Sequence, residues 1–379
     1  MEDRRHLSNS VGFCLLPSEL IQNILLHLTF PEIARLKLLN KFIACVISDE
    51  SFVRECNIRS TSTPWLFLCK KRRRSDACVH GFTDQSDRWF RIPVTDLLKP
   101  VMFTGEDLYL LTACRNVFLF ASNTSQEVIA VNLVSKTVMR IPPSPLGPRG
   151  TSSWRRSAMK LVSGPQHFRF LFAELMDNRP VLFEYDSETN TWKSVVAQAQ
   201  DSEPNLLPQD YVFLNLINRP NHDVVIAVGS RGRGSDPDPV IVRPRYDGEG
   251  NVGHGLLHVY GDGHMMVIKS NPAGSVRMLS SIQLWGLSLS GRRWEYISEI
   301  SGEVMEEMKR PFGVMIGCLE GKDGMVRGAL MSNNEGSWGI IWVSYDKRTS
   351  KWSWVLLPDC KMKGLNMAGI ALSSGVVLP

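Results

Sequence analysis

His254, His258 and His264, in the run HGLLHVYGDGH, are the residues that most invite a metal ion. A histidine pair at i, i+4 faces one way on a helix, but Gly253, Gly255, Gly261 and Gly263, with strand-like neighbours, argue against a helix here. In a strand, positions 254 and 258 share a face but stand about 13 Å apart, too far for one ion. They read as turn and strand histidines. The eight cysteines (Cys14, Cys45, Cys56, Cys69, Cys78, Cys114, Cys318 and Cys360) include no CxxC pair, and zinc needs closely spaced ligands. Gly229–Gly234 (GSRGRG) could cradle an anion through its amides. It lacks the Lys-Ser/Thr of a phosphate loop and opens no helical pattern, so it reads as a basic, flexible loop. Lys70–Arg74 (KKRRR) suits an import receptor or an acidic partner, or equally a solvated hairpin tip. The chain contains no GxSxG elbow, HExxH pair or kinase signature set. No catalytic residue, metal or cofactor is expected.

The elements that would position any site come next. At 379 residues, 43% hydrophobic and 21% charged, the chain has the composition of a folded protein of more than one domain. A net charge of +5 is modest for this length and argues against a dedicated nucleic-acid binder. There is no leader-like start and no membrane-length apolar run. The expected setting is the nucleus and/or cytoplasm, with no membrane or direct nucleic-acid partner.

Residues 16–52 have helical spacing. Leu16-Pro17 opens the stretch, Ser18 and Glu19 supply a helix start, and Leu20, Ile21, Ile24, Leu25 and Leu28 recur at three- and four-residue intervals. Pro31 punctuates, then Ile33, Leu36, Leu39 and Val46 follow. A unit this small rarely buries enough surface alone, so part of its apolar face is expected to belong to a partner. On Leu16-Pro17, Glu19-Leu20, Ile24-Leu25, Leu28, Ile33, Arg35, Leu39, Lys41 and Phe52 the segment resembles the F-box, the motif that joins receptor subunits to the adaptor of Skp–cullin–F-box ubiquitin ligases. It departs from the family pattern at Thr29, at Leu39-Asn40 and at Ile43. The resemblance implies a Skp-family adaptor, and through it cullin, as partners. The contact is expected at Leu16, Pro17, Leu20, Ile21, Ile24, Leu25, Leu28, Ile33, Leu36 and Leu39, with the last three shared with the internal core. The domains are expected to run 1–12 as a flexible start, 13–60 as the helical domain and 61–379 as a β-domain.

Beyond Phe52 short apolar runs separated by Gly, Pro, Asn and Asp replace the helical spacing, and only Glu303–Lys309 looks helical. Five segments place an apolar residue seven positions before a Trp or its aliphatic substitute: Phe82–Trp89, Val131–Val138, Tyr185–Trp192, Leu287–Trp294 and Tyr345–Trp352. Each should be a strand, a tight polar turn and a returning strand. The closing residues fall at intervals of 49, 54, 102 and 58. The long interval implies a degenerate unit near Tyr211–Asp247, so six units of about fifty residues are expected, the length of a propeller blade. This repeat resembles the kelch-like propeller of plant F-box/kelch-repeat proteins, although no Gly-Gly pair is present. The fold class expected is mainly β: a small helical F-box and a kelch-like propeller, closed when the run Met367–Leu372 with Val376–Leu378 completes the first blade.

Together these readings describe a non-catalytic receptor that holds a target protein near a ubiquitin-charged enzyme. The alternative is a propeller enzyme or small-ligand binder with a helical cap. The target is expected on a basic, aromatic patch of inter-blade loops: Trp154, Arg155, Arg156, Arg231, Arg233 and Phe312.

Overall fold

A computed structural model describes residues 12, 15–60, 63–70, 78–84, 86, 88–101, 106–154, 157–164, 167–199, 211–218, 222–229, 239–246, 256–261, 263–273, 276–300, 302–308, 314–320, 324–334, 337–358 and 367–378. The chain divides into two compact units, Met1–Thr61 with Val376–Pro379, and Ser62–Gly375.

The first unit is four short helices: α1 (Ser18–Leu25), α2 (Phe30–Leu36), α3 (Lys41–Ile47) and α4 (Glu50–Ser60). Side-chain caps start three of them, α2, α3 and α4. Pro31 falls in the first turn of α2, where its missing N–H costs nothing, and the Glu32 carboxylate accepts the Thr29 N–H. The Asn40 side chain accepts the Ile43 N–H of α3 at 2.8 Å, and the Asp49 carboxylate accepts the Phe52 N–H of α4. Ile21, Leu25, Ile33, Ile43, Val46, Ile47, Phe52 and Cys56 form the core, and Leu378 packs into it from the far end of the chain.

The second unit is nearly all antiparallel strand. Its first meander joins β1 (Pro64–Lys70), β2 (Cys78–Thr83) and β3 (Phe90–Pro93). After the single turn α5 (Thr95–Leu98) come β4 (Leu108–Cys114), β5 (Val117–Ser122), β6 (Val128–Asn132) and β7 (Thr137–Ile141). Another turn, α6 (Thr151–Trp154), leads to β8 (Ala158–Ser163), β9 (Phe168–Met176), β10 (Arg179–Asp186) and β11 (Thr191–Val196). A fourth sheet holds β12 (Gln198–Ala199), β13 (Tyr211–Asn218), β14 (His222–Gly229) and β15 (Val240–Val242). A fifth holds β16 (Arg245–Tyr246), β17 (Leu256–Tyr260), β18 (His264–Ala273), β19 (Val276–Leu287) and β20 (Arg293–Glu299). Helix α7 (Gly302–Met308) precedes the last sheet, β21 (Val314–Glu320), β22 (Met325–Asn334), β23 (Ser337–Asp346) and β24 (Lys351–Leu356). The final strand, β25 (Met367–Ser374), returns to the start. It pairs antiparallel with β1 and meets β4 in a parallel bridge, Gly369 to Leu110. At that bridge glycine is required: φ is +107°, and a Cβ would stand 2.2 Å from the Leu110 carbonyl oxygen.

Met367–Leu372 thus completes the first meander, but Val376–Leu378 does not. Those residues lie with the helical unit. The degenerate fourth repeat also differs from the expected span. It borrows its outer strand, because β12 precedes it in the chain and pairs parallel with β15.

The repeat itself is a hairpin with a fixed turn. Val131 pairs with Val138, Tyr185 with Trp192, Leu287 with Trp294 and Tyr345 with Trp352. The Phe82 and Trp89 rings meet at 5.3 Å at the matching hairpin. In three units the residue after the apolar one folds its side chain over the turn: Asn132 accepts the Val134 N–H, Asp186 the Glu188 N–H and Asp346 the Arg348 N–H. Two residues before the closing position, Lys136, Asn190 and Ser350 all take the left-handed conformation, φ 57°, 54° and 54°. Asn tolerates that conformation best.

Apolar clusters join each sheet to the next. Leu119 and Ala130 pack with Phe170 and Tyr185; Leu171 and Leu182 with Leu214 and Ile226; Val225 and Val242 with Met265 and Trp285. Met266 and Ile282 pack with Val326 and Val343, and Leu66, Leu68 and Phe82 with Met331, Ile340 and Trp342. The last cluster joins the final sheet to the first. The arrangement is propeller-like. Trp294 is buried; Trp89, Trp192 and Trp352 are half-buried, each with its indole N–H engaged. Trp89 donates to the Pro358 carbonyl, Trp192 to the Pro142 carbonyl and Trp352 to the Ser298 hydroxyl. Each acceptor sits on or just after the outer strand of the preceding meander, so the repeat residue is also an inter-sheet latch.

Candidate functional site

The helical unit leaves uncovered apolar surface. Among the described residues half of the large exposed hydrophobics, Leu15, Leu20, Ile24, Leu38, Leu39, Phe42 and Ile58, belong to it. Helix α1 explains how. It carries two apolar i, i+4 pairs, offset by one residue. Ile21 and Leu25 face the core and are 0% and 1% exposed; Leu20 and Ile24 face out, 50% and 44% exposed. The turn between α2 and α3 adds Leu38 and Leu39, and α3 adds Phe42. Leu38 is 85% exposed, although burying a leucine is worth about 2 kcal/mol. Such residues on a unit this small make it the candidate interaction surface.

The expected adaptor contacts therefore separate. Leu20, Ile24, Leu39 and Pro17 are exposed, and Leu16, Leu28 and Leu36 are half-buried against the core. Ile21, Leu25 and Ile33 are core residues that no partner can reach. Ile33 was expected to be shared; helix packing takes it whole. Leu15, Leu38, Phe42 and Ile58 were not in the expected set, and Phe42 stands beside the buried Ile43.

The expected target patch changes too. Trp154 was expected on an exposed linker, but it is 2% exposed. Its ring meets Phe172 edge-on at 5.1 Å, and the Arg149 guanidinium lies over it at 4.5 Å. Arg149 also bridges to the Glu174 carboxylate, which accepts the Ser157 hydroxyl at 2.7 Å. The connector after β7 is thus pinned between two sheets, and Trp154 cannot anchor a target. Arg155, Arg156, Arg231, Arg233 and Phe312 lie outside the described residues, as do His254, Lys71–Arg74 and Ser230–Gly234.

The buried arginines described in the β-unit are paired with carboxylates. Arg169 bridges to Glu184 at 3.0 Å, and Arg327 to Asp84 at 2.7 Å. His264 is buried. Among the described residues no three His, Cys, Asp or Glu side chains converge for a metal ion. Burial, and next the neighbouring Cys78, push the Cys69 thiol up to about 12, so it stays neutral and unreactive. No described helix is long and apolar enough to cross a membrane.

No protein-family description matches the chain, and no curated protein matches it. Solved structures do. TolB from Acinetobacter baumannii is 10% identical over 88% of this chain and 73% of its own, at a TM-score of 0.39. The nidogen/laminin complex is 11% identical over 82% and 98%, at 0.40. Oligogalacturonate lyase from Vibrio parahaemolyticus is 10% identical over 76% and 78%, at 0.33. Likeness this distant carries no function. Strand pairing alone defines the class: a mainly β protein, with a propeller-like β-unit and a small helical unit.

Proposed function

We propose that the chain is a non-catalytic substrate-recognition subunit of a Skp–cullin–F-box ubiquitin ligase. The helical unit docks the Skp-family adaptor, and the β-unit, a closed six-bladed kelch-like propeller, holds a target protein. Recognition of this kind works by proximity, raising the effective concentration of a target lysine at the charged conjugating enzyme. The observation that carries the reading is the outward apolar set Leu20, Ile24, Leu38, Leu39 and Phe42 on the segment whose sequence resembles the F-box. Support for six blades comes from the succession of antiparallel meanders and from the cluster joining the last to the first.

The test is capture of a purified Skp-family adaptor by the full-length chain. Leu20→Asp with Ile24→Asp should abolish capture, because each places a charge in an apolar contact, while the β-unit keeps its melting transition. Undiminished capture would refute the docking assignment.

A further inference from the structure

The helical unit is not continuous in sequence. Immediately after β25, Gly375 donates its N–H to the Thr63 carbonyl at 2.9 Å. Of the next residues Val376 is 4% exposed, and Leu378, 6% exposed, enters the core of the four helices. The Asn57 side chain of α4 grips the Leu378 backbone from both sides. Its Oδ1 accepts the Leu378 N–H at 2.7 Å, and its Nδ2 donates to the Leu378 carbonyl at 3.0 Å. Leu378 packs in one cluster with Ile21, Leu25, Phe52 and Cys56. The residues behind the outward surface of α1 thus rest on a side chain supplied more than three hundred positions away.

We propose that residues 376–378 are a strap that makes the helical unit's packing conditional on closure of the β-unit. One leucine and two hydrogen bonds are worth little against the entropy of ordering a free tail. They hold because β25 has already fixed the chain one residue away. While β25 lies between β1 and β4, the strap is delivered at high effective concentration. When β25 leaves, the strap is no longer held in place and α4 loses its cover. A partner that reads the helical surface then reads, indirectly, whether the β-unit is complete. An incompletely folded receptor is thereby kept from recruiting a partner with nothing to present. This last consequence rests on the docking function proposed above; the coupling itself does not.

Hydrogen exchange on the full-length chain tests the coupling without any partner. Asn57→Ala with Leu378→Ala should raise amide exchange in α1 and α4 by about tenfold or more, since losing a buried leucine opens its surroundings. Exchange in β5 and β6 should not change. Gly369→Val, whose added carbons would collide with the Leu110 backbone, should open β25 and raise α4 exchange as well. In the Asn57→Ala/Leu378→Ala background it should add nothing to α4. The proposal is overturned if the strap variant leaves α4 exchange unchanged. It is equally overturned if Gly369→Val opens β25 while α4 stays protected. Adaptor capture is read separately. A wild-type chain that shows the coupling but captures no adaptor removes the docking function and leaves the strap standing.

Discussion

Asp84→Ala breaks the ion pair that ties the last sheet to the first. Arg327 stands on β22 with a side chain 4% exposed, while Asp84, in the turn after β2, is 23% exposed. Removing the carboxylate takes the Asp84 counter-charge away from a buried guanidinium. Breaking a buried pair costs about 3–5 kcal/mol, and the exposure of Asp84 lets water replace part of the lost solvation, so about 3 kcal/mol applies here. For a unit spanning Ser62–Gly375, an unfolding entropy of about 2.1 cal/mol/K per residue gives about 0.65 kcal/mol/K, hence a fall in Tm of about 5 °C. The pair is costly to break but not to replace. Asp84→Ala combined with Arg327→Met removes the buried charge as well, and the Leu66, Phe82 and Trp342 cluster of the same seam is already apolar. The double variant should recover to within about 1 kcal/mol of the parent. Urea melts of the four proteins of the cycle measure this. Additive losses, or an Asp84→Ala chain as stable as the parent, would refute the argument that the seam is sealed electrostatically.

Three further outcomes follow from the same chemistry. Trp192→Phe keeps the ring but deletes the N–H donated to Pro142; it should cost about 1 kcal/mol in a urea melt, from the bond and the carbonyl left behind. The Asp49 carboxylate is held below its ordinary value, chiefly by the Ser51 hydroxyl and then by the Phe52 N–H. Its folded pKa is depressed, so its contribution is full above the ordinary carboxylate range and fades as pH falls through the lowered value. Asp49→Asn, which keeps an acceptor at the start of α4, should flatten that acid limb in helical circular dichroism; an unchanged limb would assign the acid sensitivity to other groups. Iodoacetamide should label Cys45, exposed on α3 one turn from Phe42, and spare Cys69 until unfolding. Mass mapping that finds Cys69 modified in the native chain would contradict its burial, and bound adaptor should shield Cys45 if α3 lies in the contact.

The β-repeat was legible because its spacing is geometric. An apolar residue and a Trp seven positions apart face each other only across a hairpin whose turn is set by Asn132, Asp186 or Asp346, and those residues stand in the sequence at a constant offset. The borrowed strand β12 left no such mark, because two residues in a parallel pair have no turn to encode. Trp154 misled for a related reason. It sits among Pro, Gly and Ser with no strand period around it, and its burial depends on Arg149, five residues earlier, reaching over the ring to Glu174. Neither partner is visible from local spacing. In α1 the sequence offered two apolar pairs one residue apart, and helical period alone does not choose which of them faces inward. That choice was made by Ile43, Ile47, Phe52 and Leu378, which fill the side behind Ile21 and Leu25 and leave Leu20 and Ile24 uncovered. A surplus of hydrophobic residues was thus readable in the sequence, but which of them stay uncovered was set by long-range packing. The longest-range member of that packing, Leu378, comes from the stretch that sequence reasoning placed in the closing strand. The residue that was hardest to place is therefore one of the four that leave Leu20 and Ile24, rather than Ile21 and Leu25, facing outward.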